Sequence, residues 1–126
     1  MNFYNDVGLF ISTFNEGPYL YYILKWSLKH FKFILVSESM TPYYGSNSLS
    51  ETLCIVNKVW KEFDCKDRLF YLCEEQPAYG FIKELLKRNQ GHSYLQSKGC
   101  SWTFHCDADE FYLDSEFEQL KSFFIS

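Results

Sequence analysis

Four short apolar runs, each closed by polar residues and separated by stretches with helical spacing, constrain this chain more than any other feature. Val7-Gly8-Leu9-Phe10-Ile11-Ser12-Thr13, Phe33-Ile34-Leu35-Val36-Ser37, Leu69-Phe70-Tyr71-Leu72 and Ser101 to Cys106 read as buried strands. After the first, Asn15-Glu16-Gly17-Pro18 forms a loop that opens a helix; Pro18 suits a first turn, and Asn15 or Gly17 can cap it. That helix runs to about Phe31 and carries Leu20, Leu24, Leu28 and Phe31 as a core-facing stripe. A second helix is predicted from Glu51 to Phe63, with Ile55, Val59 and Phe63 on one side. A third runs from about Tyr79 to Gln96, with Ile82, Leu85 and Leu86 inward and Lys83, Lys87 and Arg88 outward. Gly91 is a weak point in it, costing about 1 kcal/mol against Ala. A short amphipathic piece near Glu116 to Phe124 follows the last strand. Strands alternating with helices in this order predict an α/β fold, a mainly parallel sheet with helices on both faces. Ligands of such sheets sit beyond the carboxyl ends of the strands, where Asn15-Glu16, Glu38-Ser39 and Asp107 to Asp109 all fall.

At 126 residues the chain makes one domain, able to bury roughly two thirds of its unfolded surface. Its 47% hydrophobic and 22% charged content excludes a disordered chain. Aromatic residues reach 21%, enough to fill a core, line a sugar or base site, or cover a surface awaiting a partner. A net charge of −4 without a dense Lys/Arg block excludes bulk nucleic-acid binding, which needs phosphate neutralisation. The five cysteines are odd in number and form no Cys-x-x-Cys pair, so scattered zinc ligands are a poor fit. With no secretory signal in the opening residues, reduced thiols and a cytoplasmic setting are expected. No run of roughly 18 apolar residues is present to span a bilayer.

Asp107-Ala108-Asp109-Glu110 comes straight off the fourth apolar run and sets three carboxylates within four residues. Charges that close repel, and burying one unpaired is expensive. A hard divalent cation with oxygen ligands would relieve them, and could in turn hold a diphosphate that an acidic chain would otherwise repel. Blander readings stand beside this one. Asp107 and Asp109 can form a solvated acidic turn, and Glu110 can point outward. Asn15 and Glu16 can cap a helix and complement its dipole. Arg88 and Lys83 can be solvated helix charges or approach a diphosphate, while Asn89 can hold a loop or contact a ribose. His105, alternating with Phe104, reads as a structural residue beneath the site. A calcium EF-hand is excluded, because Phe111 and Tyr112 occupy positions that its loop gives to a ligand and a glycine.

Taken together, these positions resemble the N-terminal half of a family 2-type glycosyltransferase of GT-A fold. That pattern opens with a strand ending in a Pro-x-x-Asn-Glu-like turn, here Ser12-Thr13-Phe14-Asn15-Glu16. A second strand ends in an acidic residue followed by Ser or Gly, here Glu38-Ser39. An Arg-Asn-x-Gly segment precedes the metal motif, here Arg88-Asn89-Gln90-Gly91, and an apolar strand then ends in Asp-x-Asp, here Trp102 to Asp109. The resemblance covers about residues 7 to 115. It departs from the pattern at Ser12, where Pro is frequent, at Glu38, where Asp is usual, and in length.

The resemblance implies a nucleotide-sugar site drawn from Thr13, Asn15, Glu16, Glu38, Arg88, Asn89, Asp107 and Ala108, with Mn²⁺ or Mg²⁺ held by Asp107 and Asp109. It implies transfer of a sugar from a nucleoside diphosphate, a UDP-sugar foremost, to a hydroxyl of a glycan, lipid or protein acceptor, with inversion. Self-association and peripheral attachment at the inner face of a membrane are further expectations, with no role for nucleic acid. Only Glu116 to Ser126 lies beyond the region of resemblance, so the expected chain is truncated after the metal motif, binds donor nucleotide and lacks an assignable general base. Two competing classes are a metal-dependent phosphoesterase using His105, Asp107 and Asp109, and a non-catalytic interaction domain. The first needs a second ligand cluster, hard to assemble from His30, His92 and His105.

Overall fold

The apolar runs become strands β1 (Val7–Thr13), β2 (Ile34–Glu38), β3 (Leu69–Cys73) and β4 (Trp102–Asp107). The computed structural model describes residues 2–13, 18–38, 51–73, 80–107 and 112–125. Between the strands lie α2 (Pro18–His30), α3 (Glu51–Phe63) and α4 (Gly80–Ser97), and α5 (Asp114–Ile125) follows β4. A one-turn helix, α1 (Phe3–Asp6), precedes β1 and was not expected; Asn2 caps it by accepting from the Asn5 amide at 3.0 Å. Among the described residues no helix is long and apolar enough to cross a membrane.

All strand pairs are parallel, in the order β3-β2-β1-β4. The chain steps outward from β1 to β2 to β3, then returns through α4 to the far side of β1. Right-handed crossovers then require α2 and α3 on one face and α4 on the other. The cores divide that way. Leu9, Ile11, Ile34 and Val36 pack with Leu20, Ile23 and Leu24 of α2, Val56 and Val59 of α3 and Phe117 of α5. On the opposite face Phe10 and Leu35 pack with Leu95 and Cys100 at the end of α4. The α/β expectation with helices on both faces therefore holds.

The expected phase of α4 does not. Leu85 and Leu86 are 47% and 38% exposed, whereas Lys87 is 4% exposed and Gly91 and Leu95 are buried. The side chains of Ile82 and Lys83 lie outside the described residues. The cause is Gly91. A Cβ there would lie 2.2 Å from Cε2 of Phe10, so the missing side chain is the space the ring occupies. That contact turns Lys87, Gly91 and Leu95, one helical turn apart, onto the sheet. Gly91 is thus a close-approach site between helix and strand rather than a weak point.

Two polar devices hold the other face. The last carbonyls of a helix have no partner within it. At the end of α2, Arg68 donates to the carbonyls of Leu28 and Phe31 (2.8 and 2.9 Å) and of Lys32 (2.9 Å). His30, 6% exposed, joins α2 to α5: Nε2 lies 3.1 Å from Asp114 Oδ1 and Nδ1 3.0 Å from Lys121 Nζ. An ammonium only donates, so Nδ1 accepts and Nε2–H donates to Asp114.

Candidate functional site

The strand order reverses between β1 and β4, and in open parallel sheets the crevice at such a reversal, outside the carboxyl ends, is where ligands bind. Register then decides which side chains meet there. Ser12 pairs with both Ser37 and Asp107, and Thr13 pairs with Glu38. Three of the expected site residues, Thr13, Glu38 and Asp107, therefore stand on one rim. Asn15, Glu16, Ala108 and Asp109 lie outside the described residues.

Alternation along the strands splits this rim between the two faces of the sheet. Thr13 and Glu38 continue the series Leu9, Ile11 and Ile34, Val36 that faces α2 and α3. Thr13 is buried, and its hydroxyl donates to the Ser37 carbonyl at 3.3 Å, tying the ends of β1 and β2. Glu38 is 4% exposed and accepts a short hydrogen bond from the Tyr71 hydroxyl. A buried carboxylate needs such a donor, and Tyr71, two residues into β3 and beside Val36 in register, is set to supply it.

Ser12 and Asp107 occupy the other face. His105, two residues before Asp107, stacks on Phe10 with ring centroids 5.2 Å apart. Phe10 is in turn the ring that fills the space at Gly91. The Asp107 side chain is exposed at the end of β4. Lys87 comes across from α4, and its Nζ donates to Ser12 Oγ at 2.9 Å and approaches the Thr13 carbonyl at 3.5 Å. Sequence reasoning missed this residue by putting it on the solvent side. The spacing Lys87, Gly91, Leu95 carried the signal, had the glycine been taken as a contact. Arg88 and Asn89, the expected ligands of the same segment, are exposed on α4. It is Lys87, their neighbour, that reaches the strand ends.

Among the described residues the rim carries both signs of charge, Glu38 and Asp107 at strand ends and the Lys87 ammonium on the α4 face. Below it, on the α5 side, the hydrogen bond from His30 holds the Asp114 carboxyl under the ordinary carboxylate range. Lys121, 2.9 Å away, does the same for Glu118. A lowered folded-state value stabilises above that range and is lost as pH falls through it. Asp114, whose partner His30 lies on α2, therefore favours α5 docking at neutral pH, whereas Glu118 is lowered chiefly by Lys121 of its own helix. Of the five cysteines, Cys73 ends β3 beside Glu38 in register and Cys106 directly precedes Asp107. None is in a disulfide, and burial pushes the Cys65 and Cys100 thiols up, away from the reactive thiolate.

Among the described residues no group of three or more His, Cys, Asp and Glu side chains is arranged to hold a metal ion. Asp107 is the described member of the expected cation pair, and its partner Asp109 lies outside. Comparison with protein-family models, with curated proteins and with solved structures finds no match for this chain.

Proposed function

We propose that the chain is the nucleotide-sugar-binding part of a metal-dependent glycosyltransferase of GT-A fold and family 2 type. One observation carries the reading: Thr13, Glu38 and Asp107, separated widely in sequence, end the neighbouring parallel strands β1, β2 and β4 on one rim of the sheet, which includes the point where the strand order reverses. A nucleoside diphosphate laid across that rim would run from the Glu38 side to the Asp107 side. Glu38, steadied by Tyr71, offers an acceptor for ribose hydroxyls or base amides. Asp107 offers an exposed hard oxygen donor, which suits Mn²⁺ or Mg²⁺ and fits the chemistry expected of a pair with Asp109. Bound there, the cation would offset charge that builds on a departing diphosphate. The transfer proposed is inverting, onto an acceptor hydroxyl, with the acceptor supplied from outside the described residues.

Titration calorimetry with UDP in the presence of Mn²⁺ tests this. The unaltered chain should bind, and Asp107→Asn and Asp109→Ala should each reduce the affinity at least tenfold. Equal heats from all three proteins would end the proposal.

A further inference from the structure

The two edges of the sheet differ in charge. Segments that leave the carboxyl ends of the strands, residues 14–17, 39–50, 74–79 and 108–111, contain Glu16, Glu74, Glu75, Asp109 and Glu110 and no lysine or arginine. The connections that enter the strands hold the cations: Lys32 before β2, Lys66 and Arg68 before β3 and Lys98 before β4, against Asp6, Asp64 and Asp67. Backbone bonds knit these connections into one surface. The Lys32 amide donates to the Tyr4 carbonyl at 3.1 Å, the Ile34 amide to that of Arg68 at 2.9 Å and the Ser101 amide to that of Asp6 at 2.8 Å.

Rings accompany the cations. Lys32 Nζ lies 5.3 Å from the Phe33 centroid, Lys98 Nζ 4.8 Å from that of Phe70 and Arg68 Cζ 5.8 Å from that of Tyr4. Trp102, which opens β4 beside Val7, is 57% exposed, and Tyr4 is 39% exposed. An indole left in water forgoes the free energy that burial would recover. Exposed Trp and Tyr rings beside long basic side chains suit the boundary between water and hydrocarbon, where rings sit among headgroups and ammonium tips stay with phosphates.

We infer that the amino-end edge of the sheet docks reversibly on an anionic lipid bilayer, with Trp102 and Tyr4 among the headgroups and Lys32 and Lys98 facing the lipid phosphates. The surplus of cations over carboxylates on this edge is small, so rings and charge are needed together. The chain has a net charge of −4, and a negative surface repels its acidic carboxyl rim, which orients the molecule. That rim, with the nucleotide site proposed above, is left open to water.

Co-sedimentation with vesicles of phosphatidylcholine, alone or mixed with phosphatidylserine, tests this at low and at physiological salt. The unaltered chain should partition onto the mixed vesicles, less so as salt rises, and not onto phosphatidylcholine alone. A lysine near such a surface contributes about fivefold in partition, so Lys32→Glu and Lys98→Glu should each lose at least about that much. Lys25→Glu, the same change of charge on an exposed position of α2, should bind as the unaltered chain does. Tryptophan emission should shift to the blue on binding, and Trp102→Phe should remove that shift. No partition of the unaltered chain at low salt overturns the inference, and needs no variant. Equal losses from Lys25→Glu and Lys98→Glu overturn it too, since net charge rather than this edge would then govern binding. Salt-sensitive self-association without vesicles, abolished by Lys98→Glu, would instead assign the edge to the acidic rim of a second copy and likewise overturn it.

Discussion

On the α2–α3–α5 face, rings and branched chains from several elements interlock around Phe117, whereas on the α4 face one described helix lies against the sheet over a bare glycine. Phe117 is fully buried and meets Phe3, Trp26, His30, Phe31, Phe104 and Tyr112 with ring centroids 4.8–6.0 Å apart. The opposite face depends on Phe10 entering the space at Gly91. One side is held by volume, the other by proximity. The difference matters for function, because the proximity side carries Lys87 to the strand ends, while the volume side holds Thr13 and Glu38 in place.

Truncating the hub of the first face should have the largest effect. Phe117→Ala removes a buried ring from contacts shared by α1, α2, β4 and α5, and a loss of about 3–5 kcal/mol is expected in urea unfolding. Against a typical domain stability of about 5–15 kcal/mol, that brings the protein near its threshold. A loss under about 1 kcal/mol would mean that α5 contributes little to the core. On the second face the informative change adds an atom. Gly91→Ala gains about 1 kcal/mol of helix propensity, yet the new methyl meets a ring that is 1% exposed and has no room to withdraw. Overpacking typically costs about 1–3 kcal/mol, and the 2.2 Å approach puts this site at the upper end, so net destabilisation approaching about 2 kcal/mol is expected. Combining it with Phe10→Leu should cost less than the two changes summed, since one relieves the other. Stabilisation by Gly91→Ala alone would show that helix and sheet do not touch there.

The same contrast explains what the sequence disclosed. Continuous runs such as Ile34-Leu35-Val36 announce strands buried on both faces, and the β–α alternation announces a parallel sheet, because both are local patterns. The strand-end residues Thr13, Glu38 and Asp107 follow from knowing where strands stop. The phase of α4 did not follow. Its leucines at 85 and 86 carry the apolar signal, while its true contact line runs through a lysine and a glycine, two residue types that hydrophobic periodicity discounts. The glycine's role depends on Phe10, eighty-one positions earlier, and the lysine's on Ser12. Contacts of that range are set by the fold, and no window along the helix contains them. The lock at His30 was hidden for the same reason, since its partners Asp114 and Lys121 come from the far end of the chain.

The smallest expected effect is the one that tests the helix phase most directly. In the phase read from the sequence, Leu85 and Leu86 face the core, and replacing Leu86 with Gln would bury a polar group in place of an apolar one, at about 2–5 kcal/mol. In the phase observed, both leucines face outward, and surface changes usually stay within about 0.5 kcal/mol. Leu86→Gln and Leu85→Ser should therefore leave the urea midpoint nearly unchanged. A loss of several kcal/mol from either would rotate α4 away from the arrangement described. It would turn Lys87 to solvent, and the positive charge at the β1–β4 boundary would go with it.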